Sequence, residues 1–376
     1  SPTKWHLAHT SWFFEAVVLA PMVGGYRPWD ARCHYLFNSY YESLGPRQPR
    51  PQRGMITRPA AAEILQYRAH VDRAVLELLA GADGQRAATL IELGLQHEQQ
   101  HQELLLTDIK HALSLNPYDP VYTATIAPTA ATAVPFAWCD FPGGEVQIGH
   151  AGDGFAYDNE QPRHAALLRP YQLANRLTTC GEYLAFIADG GYRRPELWLS
   201  DGWAAVNAAG WQAPLYWREE DRGAWSLYTL HGRHPLDPAQ PVCHLSFYEA
   251  AAYAAWAGAR LPTEFEWEAA VADQPPAGRF LDPRWLQPRA ATPGPGLLQA
   301  FGDAWEWTRS SYDPYPGFRP LPGAVGEYNG KFMVGQLVLR GGSCVSPPGH
   351  LRASYRNFFP PAARWQFSGL RLARDL

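Results

Sequence analysis

The residues of this chain best suited to chemistry are three histidines: His97 and His101 in a run H-E-Q-Q-H, and His9 in the opening stretch S-P-T-K-W-H-L-A-H-T. Side chains four apart on a helix point the same way, because the period is 3.6 residues, so His97 and His101 can reach one metal ion. The surrounding pattern is helical. Over 87–115 there is no proline and one glycine, and Leu90, Gly94, His97, His101, Leu104, Leu105 and Asp108 follow a single stripe. Upstream, Trp5, His9, Trp12 and Phe13 share one face of another predicted helix, which turns His9 inward among aromatic rings and leaves His6 on a different face.

Three readings of these histidines are open. A pair of core histidines would need partners for its ring nitrogens. The H-E-x-x-H spacing also supplies two zinc ligands and, in its glutamate, the general base of a metallopeptidase. Downstream, however, His111 lies on the same helix, a proline-rich stretch follows, and no extended peptidase pattern appears. Three neutral imidazoles from two helices leave up to three open positions on an octahedral ion. That suits iron holding substrates and oxygen better than closed structural zinc.

The elements that must position these residues follow from length and composition. A chain of 376 residues exceeds one ordinary core, and two domains are expected. With a formal net charge of −4 and 18% charged residues there is no basic surface for nucleic acid. No apolar run is long enough to span a membrane and no signal peptide is evident, so a cytoplasmic protein without membrane contact is expected. The cysteines, Cys33, Cys139, Cys180, Cys243 and Cys344, are odd in number and lack C-x-x-C spacing, against a disulfide framework.

Along the chain, the first helix is followed by an irregular stretch over 21–53, a helix over 60–79 and the H-E-Q-Q-H helix. Residues 116–135, rich in Pro, Ala and Thr, read as a linker. Beyond them the chain is dense in Trp and Gly, with short strands and two short helices, near 180–187 and 246–257. Because Ser1-Pro2 stands directly before a motif-bearing helix, part of a helical bundle is expected to precede it.

The segments S-P-T-K-W-H-L-A-H-T-S-W-F-F-E and H-E-Q-Q-H-Q-E resemble the DinB-like iron-binding bundle of the sulfoxide synthases of ergothioneine biosynthesis. The later segments F-P-G-G-E-V-Q-I-G, N-R-L-T-T-C-G-E-Y, R-L-P-T-E-F-E-W-E, G-D-A-W-E-W-T and L-R-G-G-S-C are similar to the formylglycine-generating-enzyme (sulfatase-modifying factor) domain, a C-type-lectin-like architecture. Either half alone serves many functions, whereas the combination is specific. The resemblance implies an α+β protein: a DinB-like bundle over 1–115, a linker over 116–135, and a lectin-like domain with little regular secondary structure over 136–376. It also implies an oxidoreductase, a non-haem Fe(II) oxygenase that joins hercynine to cysteine with O2.

Carried onto this chain, the resemblance places the iron ligands at His9, His97 and His101. It places substrate contacts at Gln100 and Asn357, and a pair of tyrosines, one a proton donor, at Tyr40 and Tyr41. A trimethylammonium group forms no strong hydrogen bond and is best held by aromatic faces, for which Tyr355, Phe358 and Trp365 are expected. The better-known branch of the family uses gamma-glutamylcysteine, holds its amino group with an aspartate after the Asn-aromatic pair, and draws its catalytic tyrosine from the C-terminal domain. Phe359 stands where that aspartate would be, and a phenyl ring cannot hold an ammonium as a carboxylate does, which favours free cysteine. Arg47 and Arg50 are candidates to clamp a substrate carboxylate.

Relatives on this scaffold make ovothiol- or selenoneine-type products. A formylglycine-generating enzyme would need a copper-binding cysteine pair; Cys344 is near one such position, but Val345 to Tyr355 supplies no second cysteine. A binding module without chemistry would leave the histidines unexplained. Bound iron, zinc or no metal would separate oxygenase, peptidase and binder.

Overall fold

Pro2, in extended conformation, opens helix α1 (Thr3–Phe13), whose rod continues through a π-helical stretch, Phe14–Leu19, into the short α2 (Ala20–Met22). These elements belong to a computed structural model that describes residues 1–124 and 132–376. Asp30 caps α3 (Ala31–Phe37) by accepting from the Arg32 amide, a helix inside the stretch expected to be irregular. Then come α4 (Ala61–Ala80), with Ile64, Tyr67, Val71 and Leu78 buried along one face, and the 31-residue α5 (Gly84–Ser114).

Two features explain how the first rod packs. Glu15 is buried and accepts hydrogen bonds from Tyr26 Oη (2.9 Å), the Trp29 amide (3.1 Å) and Tyr67 Oη (2.8 Å), so the glutamate of W-F-F-E ties the chain together. At Gly94 the ring of Phe14 comes so close that an added Cβ would lie 2.5 Å from it. Phe14 begins the π-helical stretch; such widened turns concentrate at functional sites.

The chain divides into two compact units. The first comprises Ser1–Ile109 together with Asp153–Asp158 and Arg319–Lys331. Two segments from inside 136–376 are therefore part of the helical unit. Glu327 accepts from the amides of Glu42 (3.0 Å) and Ser43 (2.9 Å), Lys331 Nζ donates to the Tyr40 carbonyl, and Asn329 Nδ2 donates to Asp158 Oδ1 (2.7 Å). Loops of this kind carry no periodic stripe, and nothing in their sequence marks which unit they join.

The second unit comprises Lys110–Gly152, Asn159–Phe318 and Phe332–Leu376. Its strands are short: β1 (Trp138–Phe141), β4 (Tyr171–Ala174) and β12 (Ala373–Asp375) form one sheet in the order β1-β4-β12, β2 (Gly144–Ile148) pairs with β3 (His164–Leu168), and β5 (Trp217–Glu219), β6 (Trp225–Thr229) and β7 (Gly232–Pro235) form a third. Another has the order β10-β9-β8-β11, from β10 (Asn357–Phe359), β9 (Leu337–Arg340), β8 (Trp305–Ser311) and the parallel β11 (Ser368–Gly369). Helices α6 (Cys180–Ala188), α8 (Phe247–Trp256) and α9 (Glu264–Ala270) each open on a capping box, Thr179 with Glu182, Ser246 with Glu249, and Thr263 with Glu266. The boxes explain why these motifs recur as T-x-x-E or S-x-x-E. Of the helices here, α6 and α8 match the expected pair, while α7 (Ser200–Ala209) and α9 lie outside it: α7 opens on Leu199 without a side-chain cap, and α9 is only two turns long.

Buried ion pairs anchor this core. Arg340 donates to Glu264 (2.7 Å) and Glu268 (2.9 Å), and Arg371 donates to Glu306 (2.8 Å), each satisfied on more than one side. The expected linker is in part built into this unit. The amides of Tyr122 and Thr123 donate to the Leu230 carbonyl, and Asp119 accepts from Arg233 Nε and Nη2 at 2.9 Å each; residues 125–131 lie outside the described residues. Among the described residues, no helix is long and apolar enough to cross a membrane.

Candidate metal centre

His9, on α1, and His97 and His101, one turn apart on α5, each present a nitrogen to a common point, the three atoms lying within 4.8 Å of one another. Among the described residues this is the only such cluster of potential metal ligands. His9 and His97 are 0% and 2% exposed. Burial pushes all three imidazoles toward the neutral form, His97 down to about 3, and the neighbouring rings add to this at His9 and His101. Neutral rings are the ligand form.

Their hydrogen bonding fits a metal. The Phe37 carbonyl, at the end of α3, accepts from His9 Nδ1 at 2.6 Å, so this neutral ring keeps its lone pair on Nε2, and that atom has no partner. Neither nitrogen of His97 has a hydrogen-bond partner among the described residues. Buried polar atoms left open cost about 1–3 kcal/mol each, which a coordinated ion would relieve. A satisfied core pair is thereby excluded. The peptidase reading also fails, because Glu98 is bound by Arg68 (2.6 Å), which also reaches Thr10, and a carboxylate so held is a poor base for water.

His6 is not off the site, contrary to expectation. Residues three apart on a helix are neighbours, and His6 is buried with Nδ1 2.9 Å from His101 Nδ1 and Nε2 3.2 Å from Asp108 Oδ2.

Around the triad stands an aromatic wall. Trp5 stacks on His9 at 4.6 Å, and Phe13 lies 4.6 Å from His97. Tyr40 and Tyr41 stack on each other at 4.7 Å, and Tyr41 also packs against Trp12 and Phe13. The Tyr41 hydroxyl is fully buried beside Tyr40, and burial pushes both phenols up, holding their protons. Two rings that sequence reasoning missed complete the wall. Tyr328 presents its edge to His97 at 5.6 Å and donates to Gln100 Oε1, while Tyr157 stacks on Tyr328 at 5.3 Å. Both sit in the segments whose membership in this unit the sequence does not reveal.

The expected arginines fall differently. Arg47 is paired with Glu42 (2.8 Å), and Arg50 is exposed. The third arginine of the same stretch, Arg53, is 3% exposed and lies 3.7 Å over the Trp5 ring. Its Nη1 and Nη2 reach only the hydroxyls of Ser1 and Ser39, Nε has no partner, and it forms no ion pair with a described residue. Burial and the nearby Arg50 and Arg47 bring its pKa down to about 10. A buried guanidinium without a carboxylate is a ready anion site.

The remaining expected contacts belong to the second unit. Asn357, on β10, accepts from the Phe358 amide (2.9 Å), and Phe358 is stacked on Tyr312 at 4.0 Å. Tyr355 is buried against Trp305 with its hydroxyl 3.2 Å from His350 Nε2, which makes it a core residue. Phe359 and Trp365 meet edge to face at 5.7 Å and stay half-buried.

Comparison with known proteins agrees with this architecture. The model of the sulfatase-modifying factor enzyme 1-like domain matches residues 136–293 and 291–376. The hercynine oxygenase of Mycolicibacterium thermoresistibile is 34% identical over 412 residues, covering 100% of this chain and 88% of the relative. That of Mycolicibacterium smegmatis is 37% identical over 314 residues, 76% of this chain and 71% of the relative. Ergothioneine biosynthesis protein 1 of Schizosaccharomyces pombe is 29% identical over 59% of this chain and 28% of its own length. With a metal-ligand cluster on its helices and a sulfatase-modifying-factor domain following in the sequence, the chain belongs to the hercynine oxygenase family.

Proposed function

We propose that this chain is a non-haem iron(II), O2-dependent sulfoxide synthase that joins hercynine to free cysteine. The reading rests above all on the triad of His9, His97 and His101, three neutral imidazoles with no carboxylate among them, of which His9 and His97 keep an open buried nitrogen among the described residues. Iron(II) held there would supply open coordination positions and the redox chemistry that O2 requires. The overall change balances: the imidazole C–H and the thiol S–H are lost, a C–S bond forms, one oxygen atom ends on sulfur, and the other leaves as water.

The chain's own residues have the remaining tasks. Arg53 binds a substrate carboxylate, a role first expected of Arg47 and Arg50. Its anchorage on Trp5, which also stacks on His9, ties substrate position to ligand position. Gln100, held through its Oε1 by the Tyr328 hydroxyl, contacts a substrate. Tyr41, held protonated by burial, donates a proton to the reacting oxygen, and the phenol wall keeps bulk water out. Phe359 in place of a carboxylate supports cysteine over gamma-glutamylcysteine as the sulfur donor.

The test is an anaerobic iron-loading assay with hercynine or histidine, each offered with cysteine, gamma-glutamylcysteine or a selenosugar, and products read by mass. Hercynine with cysteine is expected to give the sulfoxide. Equal turnover of histidine would move the assignment to an ovothiol-type enzyme. In parallel, His9→Ala, His97→Ala and His101→Ala should each abolish stoichiometric iron binding while the second unit stays folded; full iron in His9→Ala would end the three-histidine reading.

A further inference from the structure

We infer that His6 and Asp108 fix the tautomer of His101 and so aim its Nε2 lone pair at the ligand cluster, which makes them positioning residues behind a metal ligand. The inference rests on the metal-site reading of His9, His97 and His101. It follows from donor and acceptor chemistry around three contacts. The Asp108 carboxylate can only accept, so the 3.2 Å contact is donated by His6 Nε2–H. A neutral imidazole carries one N–H, which leaves His6 Nδ1 as an acceptor. The 2.9 Å contact between the two Nδ1 atoms therefore runs from His101 Nδ1–H to His6, and the lone pair of His101 is on Nε2.

The same end is reached at His9 by a shorter route, the Phe37 carbonyl accepting from Nδ1–H. Two of the three ligands are thus held in one tautomer by an acceptor behind the ring. His97, with no hydrogen-bond partner on either nitrogen among the described residues, has no such support. The relay is itself anchored. His6 is 4% exposed and packs edge to face on Trp5 at 5.6 Å. His6 and His9 sit on α1, and His101 and Asp108 lie seven residues, two turns, apart on α5, so the relay also fixes the register of the two helices that carry the ligands. Groups that orient a metal-bound histidine in this way typically change metal affinity 10–100-fold when removed.

Substitutions separate this role from packing. His6→Phe keeps ring volume and removes both nitrogens. His6→Gln offers a carbonyl oxygen to His101 and an NH2 group to Asp108. In the metal-free protein, long-range 1H–15N NMR of the imidazoles should show His101 in the Nδ1–H form, and a mixture of tautomers in His6→Phe. Anaerobic titration with Co(II) should give Kd values 10–100-fold weaker for His6→Phe and Asp108→Asn, with His6→Gln recovering most of the loss. The double variant His6→Phe/Asp108→Asn should bind no more weakly than His6→Phe alone, because both changes cut one relay. A Kd and a His101 tautomer unchanged in His6→Phe would overturn the inference and leave the metal site standing. If the unaltered protein bound no Co(II) or Fe(II), the metal-site reading would fall instead, and the tautomer measurement alone would decide the role of His6.

Discussion

A phenol that is fully buried beside a cluster of neutral imidazoles keeps its proton at any physiological pH, which makes Tyr41 a donor rather than a base. Two outcomes compete once thiol and O2 meet: oxidation of the sulfur alone to a sulfinic acid, and coupling to the imidazole carbon. Coupling requires a proton at the reacting oxygen. Tyr41→Phe, alone or with Tyr40→Phe, keeps ring volume and is expected to shift product from sulfoxide toward cysteine sulfinate with little change in substrate affinity. Quantifying both products side by side checks this, and an unchanged ratio and rate in the double variant would assign the pair to packing. Tyr328 would then be the next phenol to test. At this scale the sequence was most legible where spacing carries the chemistry, as at His97 and His101. It was least legible where a side chain acts through a neighbour. His6 and Arg53 have ordinary surroundings in the chain, and only the fold gives the one an acceptor role behind a ligand and deprives the other of a carboxylate.

The helices that carry the ligands were readable from periodicity, but the way they meet was not. Gly94 sits on the same stripe as His97, less than a turn before it, and the ring of Phe14 occupies the place of its missing side chain. Alanine normally favours a helix over glycine by up to about 1 kcal/mol. Here the close approach outweighs that preference. Gly94→Ala should destabilise the first unit by about 1–3 kcal/mol, the usual cost of overfilling a packed site. It should also weaken metal binding, since Phe14 lies next to Phe13, which packs on His97. Shrinking the ring with Phe14→Leu in the Gly94→Ala background should recover part of both losses. Thermal unfolding of the metal-free variants and Co(II) titration measure the two effects, and a Gly94→Ala protein at least as stable as the parent would contradict the close-approach argument. The short helices α7 and α9 show the opposite limit. A capping box and burial within the second unit set the type of α9, and burial of Gly202 and Val206 with Gly210 at the C-cap sets that of α7, rather than a periodic stripe, so a window of sequence long enough to show a helix contains mostly loop.

Across the whole molecule the two units share one electrostatic liability, the burial of histidines in neutral form. In the first unit these are His6, His9, His97 and His101, and in the second His244 and His350. Burial brings both His97 and His350 down to about 3, against about 6.5 in an unfolded chain. Between those values the unfolded state takes up protons that the folded state refuses, so their stabilising effect is present in full above pH 6.5 and declines as pH falls toward 3. At pH 5 the loss is about 2 kcal/mol for each of these two groups, with the other buried histidines adding in the same direction. The metal-free protein is therefore expected to lose stability steeply from pH 6.5 downward. A ligand that binds only the folded form stabilises according to its concentration over Kd, and Co(II) would act on the first unit alone. Denaturant unfolding from pH 7.5 to pH 4.5, with and without Co(II), should show one transition that the metal moves upward and another that follows pH regardless. The buried histidines would lose this role if the midpoints stayed level between pH 7 and pH 5, and the assignment of the metal to the first unit would fail if Co(II) raised both transitions equally.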